Sequence, residues 1–421
     1  MTERLRPIMG LCNLPFGLYG GVMLATIPQL LAAQGVPQPD IASVTAIGLG
    51  PGFCYFLASP ILDVRFSRRF YACVLGVATA LLLFAALMST ANLALLGVLL
   101  FGGQFTVLLY SSAVGGWLGS LVDPKDEARL GAWFTIGNFA GYGATAIVGI
   151  RVVRDLPFVL GSGLLCLMVL LPLFLFPFLP SLAPDRRLAS ESFGRFFGDV
   201  LALLKKPAVL RALPFFLSPC ASFALINTLS ALGNDFRTSE ATVAIILGLG
   251  ASFVPAVGSL LVPSLARYVS LRPLYLLVGS VGALFTLSLI VLPHSPVTFG
   301  AAVVGENVFA AAALAVATAI IFDTIGKNNP LAATQFAVLN AAVQIPAIYM
   351  QEVDGIGYGL GGLTGNLLTD AFISLVTCGV FAIALWLMRR RSLAASGRAA
   401  ARLDEATGFV APIAPAAEQK A

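Results

Sequence analysis

The feature that most constrains this chain is a series of twelve apolar runs, at about residues 8 to 33, 41 to 62, 70 to 89, 93 to 119, 129 to 150, 157 to 179, 208 to 232, 241 to 264, 272 to 292, 298 to 322, 331 to 353 and 366 to 388. Most reach the ~20 residues with which a helix crosses a ~30 Å hydrocarbon layer. Composition agrees: with 58% hydrophobic and 11% charged residues, the 421-residue chain has too little polar surface to cover a water-soluble globule. The first run is too long, and too interrupted by Gly and Pro, for a cleaved signal peptide, so it is expected to remain as helix 1. The pattern predicts an all-α membrane protein of twelve transmembrane helices in two pseudo-symmetric six-helix bundles.

The basic residues fix an orientation. If the N-terminus is cytoplasmic, 22 of the 25 Lys and Arg residues fall on that side and only Arg151, Arg154 and Arg237 on the other. One missed span would invert every later loop, so the asymmetry supports both the helix count and cytoplasmic termini. The formal charge of +5 therefore reads as a topology signal spread over short loops, not as a nucleic-acid surface. Six cysteines stand singly, with no CxxC spacing, and His294 is the only histidine. No disulfide framework, metal centre or other cofactor is expected, and without a nucleotide-binding signature ATP is not an expected energy source. Dispersed acids and a single histidine also make poor enzyme machinery, so no enzymatic activity is assigned.

Four parts follow from the pattern: an N-terminal six-helix bundle (1–180), a cytoplasmic linker (181–207), a C-terminal six-helix bundle (208–390) and a disordered cytoplasmic tail (391–421). Within the linker, Phe193, Phe196, Phe197, Val200, Leu201 and Leu204 recur at near-helical spacing, which predicts an amphipathic helix on the inner membrane surface. Gly48-Leu49-Gly50 with Phe53 and Ser59 recurs as Gly248-Leu249-Gly250 with Phe253 and Ser259. Corresponding helices 2 and 8 suit a duplicated transporter, although two apolar helices also share Gly and Leu by chance. The GxxxG pairs Gly17/Gly21, Gly115/Gly119 and Gly137/Gly141 predict close helix contacts.

Polar groups inside the runs point to function. Asp63 ends run 2, where a carboxylate meets the negative end of a helix dipole unless a cation or another helix's N-terminus lies near. Arg65, Arg68 and Arg69 follow it, and together these four residues form a candidate gating latch. The simpler alternative is that the arginines only hold the loop in the cytoplasm. Glu306 lies about a third of the way along run 10, where an unpaired carboxylate in lipid costs several kcal/mol. It is expected in a bundle interior or a water-filled path, either as a proton-coupling group or as a fixed hydrogen-bonded acid. Asn13, Tyr19, Gln104, Tyr110, Asn138, Tyr142, Asn227, Asn307, Gln335, Asn340 and Gln344 are candidate lining of a substrate cavity, or interhelical glue. Asp323, Glu352, Asp354 and Asp370 lie near run ends and are given mainly structural roles.

Twelve spans in two halves, a Pro and then an Asp with arginines after helix 2, and a long central loop resemble the major facilitator superfamily. Ser59 stands where its loop signature has Gly, and Val64 where it has the first Arg. The resemblance is nearer to the branch of AmpG-type muropeptide permeases and acetyl-coenzyme A transporters. Pro60 and Asp63, Glu306-Asn307, and Ala333-Thr334-Gln335-Phe336 at the start of run 11 match that branch, whereas Ala310 to Ala313 replace a glycine-rich run. The resemblance implies the major facilitator fold and a secondary active transporter. The expected activity is proton-coupled uptake of a small polar organic solute (muropeptide-, peptide- or siderophore-like) by alternating access in the bacterial inner membrane, as a monomer. Its partners would be that substrate, protons and the lipid bilayer. Two alternatives stand beside it: a non-transporting membrane sensor or assembly protein, and a drug/proton exporter of the same superfamily.

Overall fold

The computed structural model describes residues 5–180, 198, 202, 205–221, 224–229, 231–327 and 329–407. Its described residues are helical, with no strand among them. Ten helices match apolar runs as α1 (Pro7–Ala33), α2 (Gln38–Leu49), α3 (Arg68–Met88), α4 (Leu93–Gly119), α5 (Glu127–Asp155), α6 (Phe158–Leu170), α7 (Pro207–Leu217), α8 (Glu240–Leu265), α9 (Leu271–Val291) and α10 (Pro296–Ile325). A continuous helical assignment from Ala332 to Thr407 divides at Gly361 and Gly362 into α11 (332–360) and α12 (363–407). Gly362 takes φ +58°, a left-handed conformation that glycine adopts without a Cβ penalty.

Helix starts follow from local chemistry. Ser67, Asn92, Ser239 and Ser295 precede α3, α4, α8 and α10, and their side chains accept from the backbone N–H three residues on, at 3.1–3.4 Å. Two runs do not form the single helices expected of them. After Leu49, run 2 continues as short 3-10 turns, Gly50–Phe53, Tyr55–Leu57 and Ser59–Asp63. Pro51 and Pro60, which cannot donate, sit in the first turns of two of these. Run 7 stops at Leu217 ahead of Pro219 and resumes as Ala224–Thr228 and Ala231–Gly233. Run 8, the proposed counterpart of run 2, stays α-helical to Leu265 despite Pro255 and Pro263.

Residues 181–197 and most of 199–204 lie outside the described residues, and the expected amphipathic linker helix lies there too. By contact, residues 1–378 form one compact unit and 379–421 another. In the second unit the backbone is helical as far as Thr407, and alanine, leucine and arginine there have high helix propensity. Within it, the Arg390 guanidinium lies 4.0 Å over the Trp386 ring.

Glycines set the packing inside residues 1–378. Gly10, Gly17 and Gly21 of α1 meet backbone or Cβ atoms of α5 near Trp133, Asn138 and Tyr142, and Gly137 and Gly141 face back onto α1. A seam of this kind lets two backbones approach where lipid gives no hydrophobic drive. Gly115, Gly116 and Gly119 of α4 contact Phe336, the Ala332–Ala333 backbone and Phe322, which belong to the other half. There Phe134 of α5 meets Phe322 and Phe336 edge-on, with centroids 5.8 and 5.6 Å away. Outward-facing side chains such as Leu81, Val98 and Phe174 are about two-thirds exposed, as apolar groups facing lipid are.

The α1–α5 seam gives a test. A Cβ on Gly141 would lie 2.5 Å from the Leu14 carbonyl oxygen and 2.7 Å from the Leu18 nitrogen, whereas one on Gly163 meets nothing within 4 Å. Gly141→Ala should lower the thermal midpoint of the detergent-solubilised protein, at a cost of about 1–3 kcal/mol. Gly163→Ala should leave the midpoint unchanged.

Candidate functional site

Two polar constellations stand out, one joining the halves and one inside the C-terminal half. The first surrounds Asp63. The run of 3-10 turns brings its carboxylate, fully buried, against the first turn of α11. Oδ1 accepts from Arg68 Nε at 2.7 Å and from Ala333 N at 3.1 Å, and Oδ2 from Thr334 N at 2.8 Å and Thr334 Oγ1 at 2.7 Å. The acid therefore caps a helix from the opposite half, with two otherwise unpaired N–H groups and the positive end of the dipole directed at it.

Arg68 completes the clamp. Its Nη2 donates to the carbonyls of Asn329 (2.7 Å) and Pro330 (2.8 Å), and its Nη1 to Ser120 Oγ (3.2 Å). One guanidinium thus ties the α2–α3 loop, the end of α4 and the α10–α11 loop. Asn329 is held in turn, donating to Gln335 Oε1 at 2.6 Å and to the Ile325 carbonyl at 2.8 Å. Further along the interface Tyr55 OH donates to the Ala337 carbonyl at 3.0 Å, and Asn340 Nδ2 donates to Tyr55 OH at 3.2 Å. On the rim Lys327 pairs with Asp123 and holds that carboxyl below the usual carboxylate range. This pair is present at neutral pH and dissolves only as acid protonates Asp123.

Of the four latch candidates, Asp63 and Arg68 meet. Arg65 is exposed in a left-handed conformation (φ 66°), and among the described residues neither it nor Arg69 bonds the carboxylate. The spacing explains the choice: Arg68 is the first residue of α3, so its side chain points back over the 3-10 turn. Thr334, Ser120, Asp123 and Lys327 were not singled out from sequence as latch residues. The Ala-Thr-Gln-Phe start of α11 was a legible signal for Thr334 alone.

The second constellation is a narrow recess between Ala221, beyond the end of α7, and helices α9, α10 and α12. Glu306 and Asp370 both line it. Glu306 is 6% exposed, and its Oε1 accepts from Thr286 Oγ1 of α9 at 2.7 Å. Asp370 and Asp354 are 4% and 0% exposed, so their places near run ends do not put them in water. Asp354 sits on α11 where the α11–α12 hairpin closes: Asn366 Nδ2 donates to its carbonyl at 3.0 Å, and Gly357 packs on Gly365. By contrast Asp323 is exposed near Arg272 (3.8 Å), and Glu352 is exposed.

Most of the expected cavity residues are engaged in hydrogen bonds. Tyr19 OH donates to the Leu100 carbonyl (2.8 Å) and Tyr110 OH to that of Cys12 (2.6 Å). Asn13 donates to the Phe134 carbonyl (3.4 Å) and accepts from Ser111 (3.0 Å). Asn307 Nδ2 bonds its own helix at Val303 (2.8 Å), and Gln335 and Asn340 belong to the clamp region. Tyr19, Tyr110 and Asn13 thereby tie neighbouring helices, whereas Asn307 bonds within its own. Gln104 is buried, Asn138 and Tyr142 are half-buried, and Gln344 is exposed. The side chain of Asn227 lies outside the described residues.

Solved structures share this architecture. The human organic anion transporter MFSD10 superposes with a TM-score of 0.68 at 18% identity, covering 90% of this chain and 99% of that one. The fold is that of the major facilitator superfamily. An outward-facing bacterial homologue of the iron transporter ferroportin gives 0.65 at 14% identity, over 91% of this chain and 99% of its own. The E. coli fucose:proton symporter FucP gives 0.65 at 14%, over 90% and 98%. No family model matches the chain, and no curated protein sequence does. In the major facilitator fold as this chain builds it, the Asp63 clamp lies between the two halves and the acid pocket within one of them.

The clamp is testable by stability. Asp63→Ala leaves the Arg68 guanidinium and two N–H groups without their shared acceptor, and should cost about 3–5 kcal/mol. Thr334→Val removes a single charge-assisted bond and should cost about 1.5–3 kcal/mol. Thermal unfolding of both variants in detergent checks the order, and equal midpoints for Asp63→Ala and the parent would remove the clamp from the stability account.

Proposed function

We propose that this protein is a secondary active transporter that moves a small polar organic solute across the bacterial inner membrane by alternating access, as proton-coupled uptake by a monomer. The observation that carries the reading is the Asp63–Arg68 clamp on the N-terminus of α11. Its contacts are short, directional and concentrated on one loop-bearing end of the molecule, so rocking of one half against the other breaks them together. With the termini cytoplasmic, as the distribution of Lys and Arg supports, the clamp closes the cytoplasmic side and stabilises the outward-open form. Arg65 and Arg69 then act as positive-inside residues, not as parts of the latch.

Glu306 is the proton-coupling residue in this reading. It is a buried carboxyl in the C-terminal half, with a hydroxyl donor and a pocket beside it. The fucose:proton symporter among the structural neighbours supports the class of activity, and the organic anion transporter supports an organic solute. The matches to the muropeptide permease and acetyl-coenzyme A transporter branch, now including Thr334 in the clamp, favour muropeptide-, peptide- or siderophore-like cargo.

One observation favours a second reading, that of a non-transporting membrane sensor: Glu306 is tied to Thr286, and Asn13, Tyr19 and Tyr110 are bonded internally instead of lining an open path. Proteoliposomes separate the two. With an inward proton gradient, accumulation of one member of a panel of labelled anhydro-muropeptides, small peptides, siderophores and acetyl-coenzyme A is expected, collapsing with the gradient. Glu306→Gln should abolish accumulation and preserve substrate exchange. Normal accumulation by that variant would overturn its coupling role, and exchange of no panel member by folded protein would favour the sensor.

A further inference from the structure

One buried acid takes no part in the clamp. Glu127 is the first residue of α5, ahead of the start of apolar run 5, and is 5% exposed. Among the described residues its carboxyl makes no hydrogen bond and no ion pair, whereas its neighbour Asp126 faces Arg129 at 3.8 Å. Its cover comes from the opposite half. Lys327, just past α10, pairs with Asp123, just ahead of α5, so the two helices run antiparallel. Further in, a Cβ on Gly131 would lie 2.6 Å from the Ala315 carbonyl oxygen and 2.9 Å from the Ala319 nitrogen, so the backbones touch. Glu127 stands one turn before Gly131, and Asp323 one turn after Ala319. The two contacts bracket these acids and set them opposite each other across the seam between the halves.

The charged groups around Glu127 among the described residues are already engaged or exposed. Asp123 is with Lys327, Asp126 with Arg129, and Asp323 lies 3.8 Å from Arg272 of α9, while Lys125 is exposed. Helices α1 and α6 and the last two turns of α8, which also pack on α5, bring no acid or base, and Arg267 beyond α8 is exposed. A carboxylate at Glu127 would therefore lose water, gain no donor and meet a second carboxylate. The α5 dipole acts the other way, but it is the smaller effect. With the seam closed, Glu127 holds a proton; with the halves apart, water reaches the side chain and it ionises.

We propose that Glu127 is a proton site in the seam between the halves, protonated while the cytoplasmic side is closed and deprotonated to cytoplasmic water as the halves part. Only an O–H bond is broken, and the proton passes to water. Because Glu127 is harder to ionise in the closed form than in the open one, the closed form is favoured at low pH. That preference is lost as pH rises through the value Glu127 has when closed. The inference deepens the proton-coupled reading above and rests on it for its use: it gives the inward-opening step a residue from which a proton leaves, in the half that does not carry Glu306.

Electron-spin distance measurement on the purified full-length chain tests this without substrate or gradient. Spin labels go on Phe178→Cys and Tyr268→Cys, exposed positions on the cytoplasmic ends of the two halves, with the half-buried Cys54 and Cys73 replaced by alanine. In mildly acidic buffer a single short distance is expected, and a longer component should grow as pH rises. Glu127→Gln, added to that labelled chain, keeps the shape of the protonated acid without its charge and should hold the short distance throughout. A longer component that grows in Glu127→Gln as it does in the labelled parent, or that appears in the parent at no pH, would overturn the proposal. Asp323→Asn, at an exposed side chain, serves should Glu127→Gln not fold. With the facing charge gone Glu127 ionises more readily, so the transition should move to lower pH, and an unmoved transition would equally refute the site. Failure of every cargo to accumulate in proteoliposomes would remove the transport reading and leave the distance result standing, so the two failures are distinguishable.

Discussion

A hydrocarbon layer supplies no hydrogen bonds, and much of this structure answers that constraint. Continuous helices meet it without help. Where the chain gives up α-helical bonding, between Gly50 and Asp63, the missing partners are drawn from elsewhere: Tyr55 reaches the Ala337 carbonyl and Asp63 reaches the first N–H groups of α11. One face of the irregular stretch therefore lies against protein, while Phe53, Leu57 and Ile61 stay exposed on the other. Its irregularity and its contact with the opposite half are two aspects of one arrangement.

The same constraint explains the different use of acids in the two halves. Asp63 keeps its charge company with a guanidinium and a helix terminus, a pairing that needs both halves. Glu306, within one half, instead accepts from the hydroxyl of Thr286.

Much of the fold was legible because apolar run length and Lys/Arg placement are properties of the chain alone. Breaks in runs 2 and 7 were less so: Pro51 and Pro219 were visible, but Pro255 and Pro263 leave α8 unbroken, and only neighbouring contacts decide which proline ends a helix. For the site, Asp63 was marked by its conflict with a helix C-terminus, and that conflict named the kind of partner without naming Thr334. Asp354 and Asp370 lie near run ends and are nevertheless buried, since depth along a helix says nothing about which face carries the residue. The polar residues Tyr19, Tyr110 and Asn13 taught the same lesson in reverse, turning inward to carbonyls.

The 3-10 stretch of helix 2 also has a mechanical consequence. A 3-10 turn rises ~2.0 Å per residue and an α-turn ~1.5 Å, so about a dozen residues rewound from one to the other shorten by roughly 6 Å. The segments Gly50–Phe53, Tyr55–Leu57 and Ser59–Asp63 are of that total length. Helix 2 is thus an extensible rod with Asp63 at its tip. Rewinding it would withdraw the carboxylate from α11 by more than a hydrogen bond's reach.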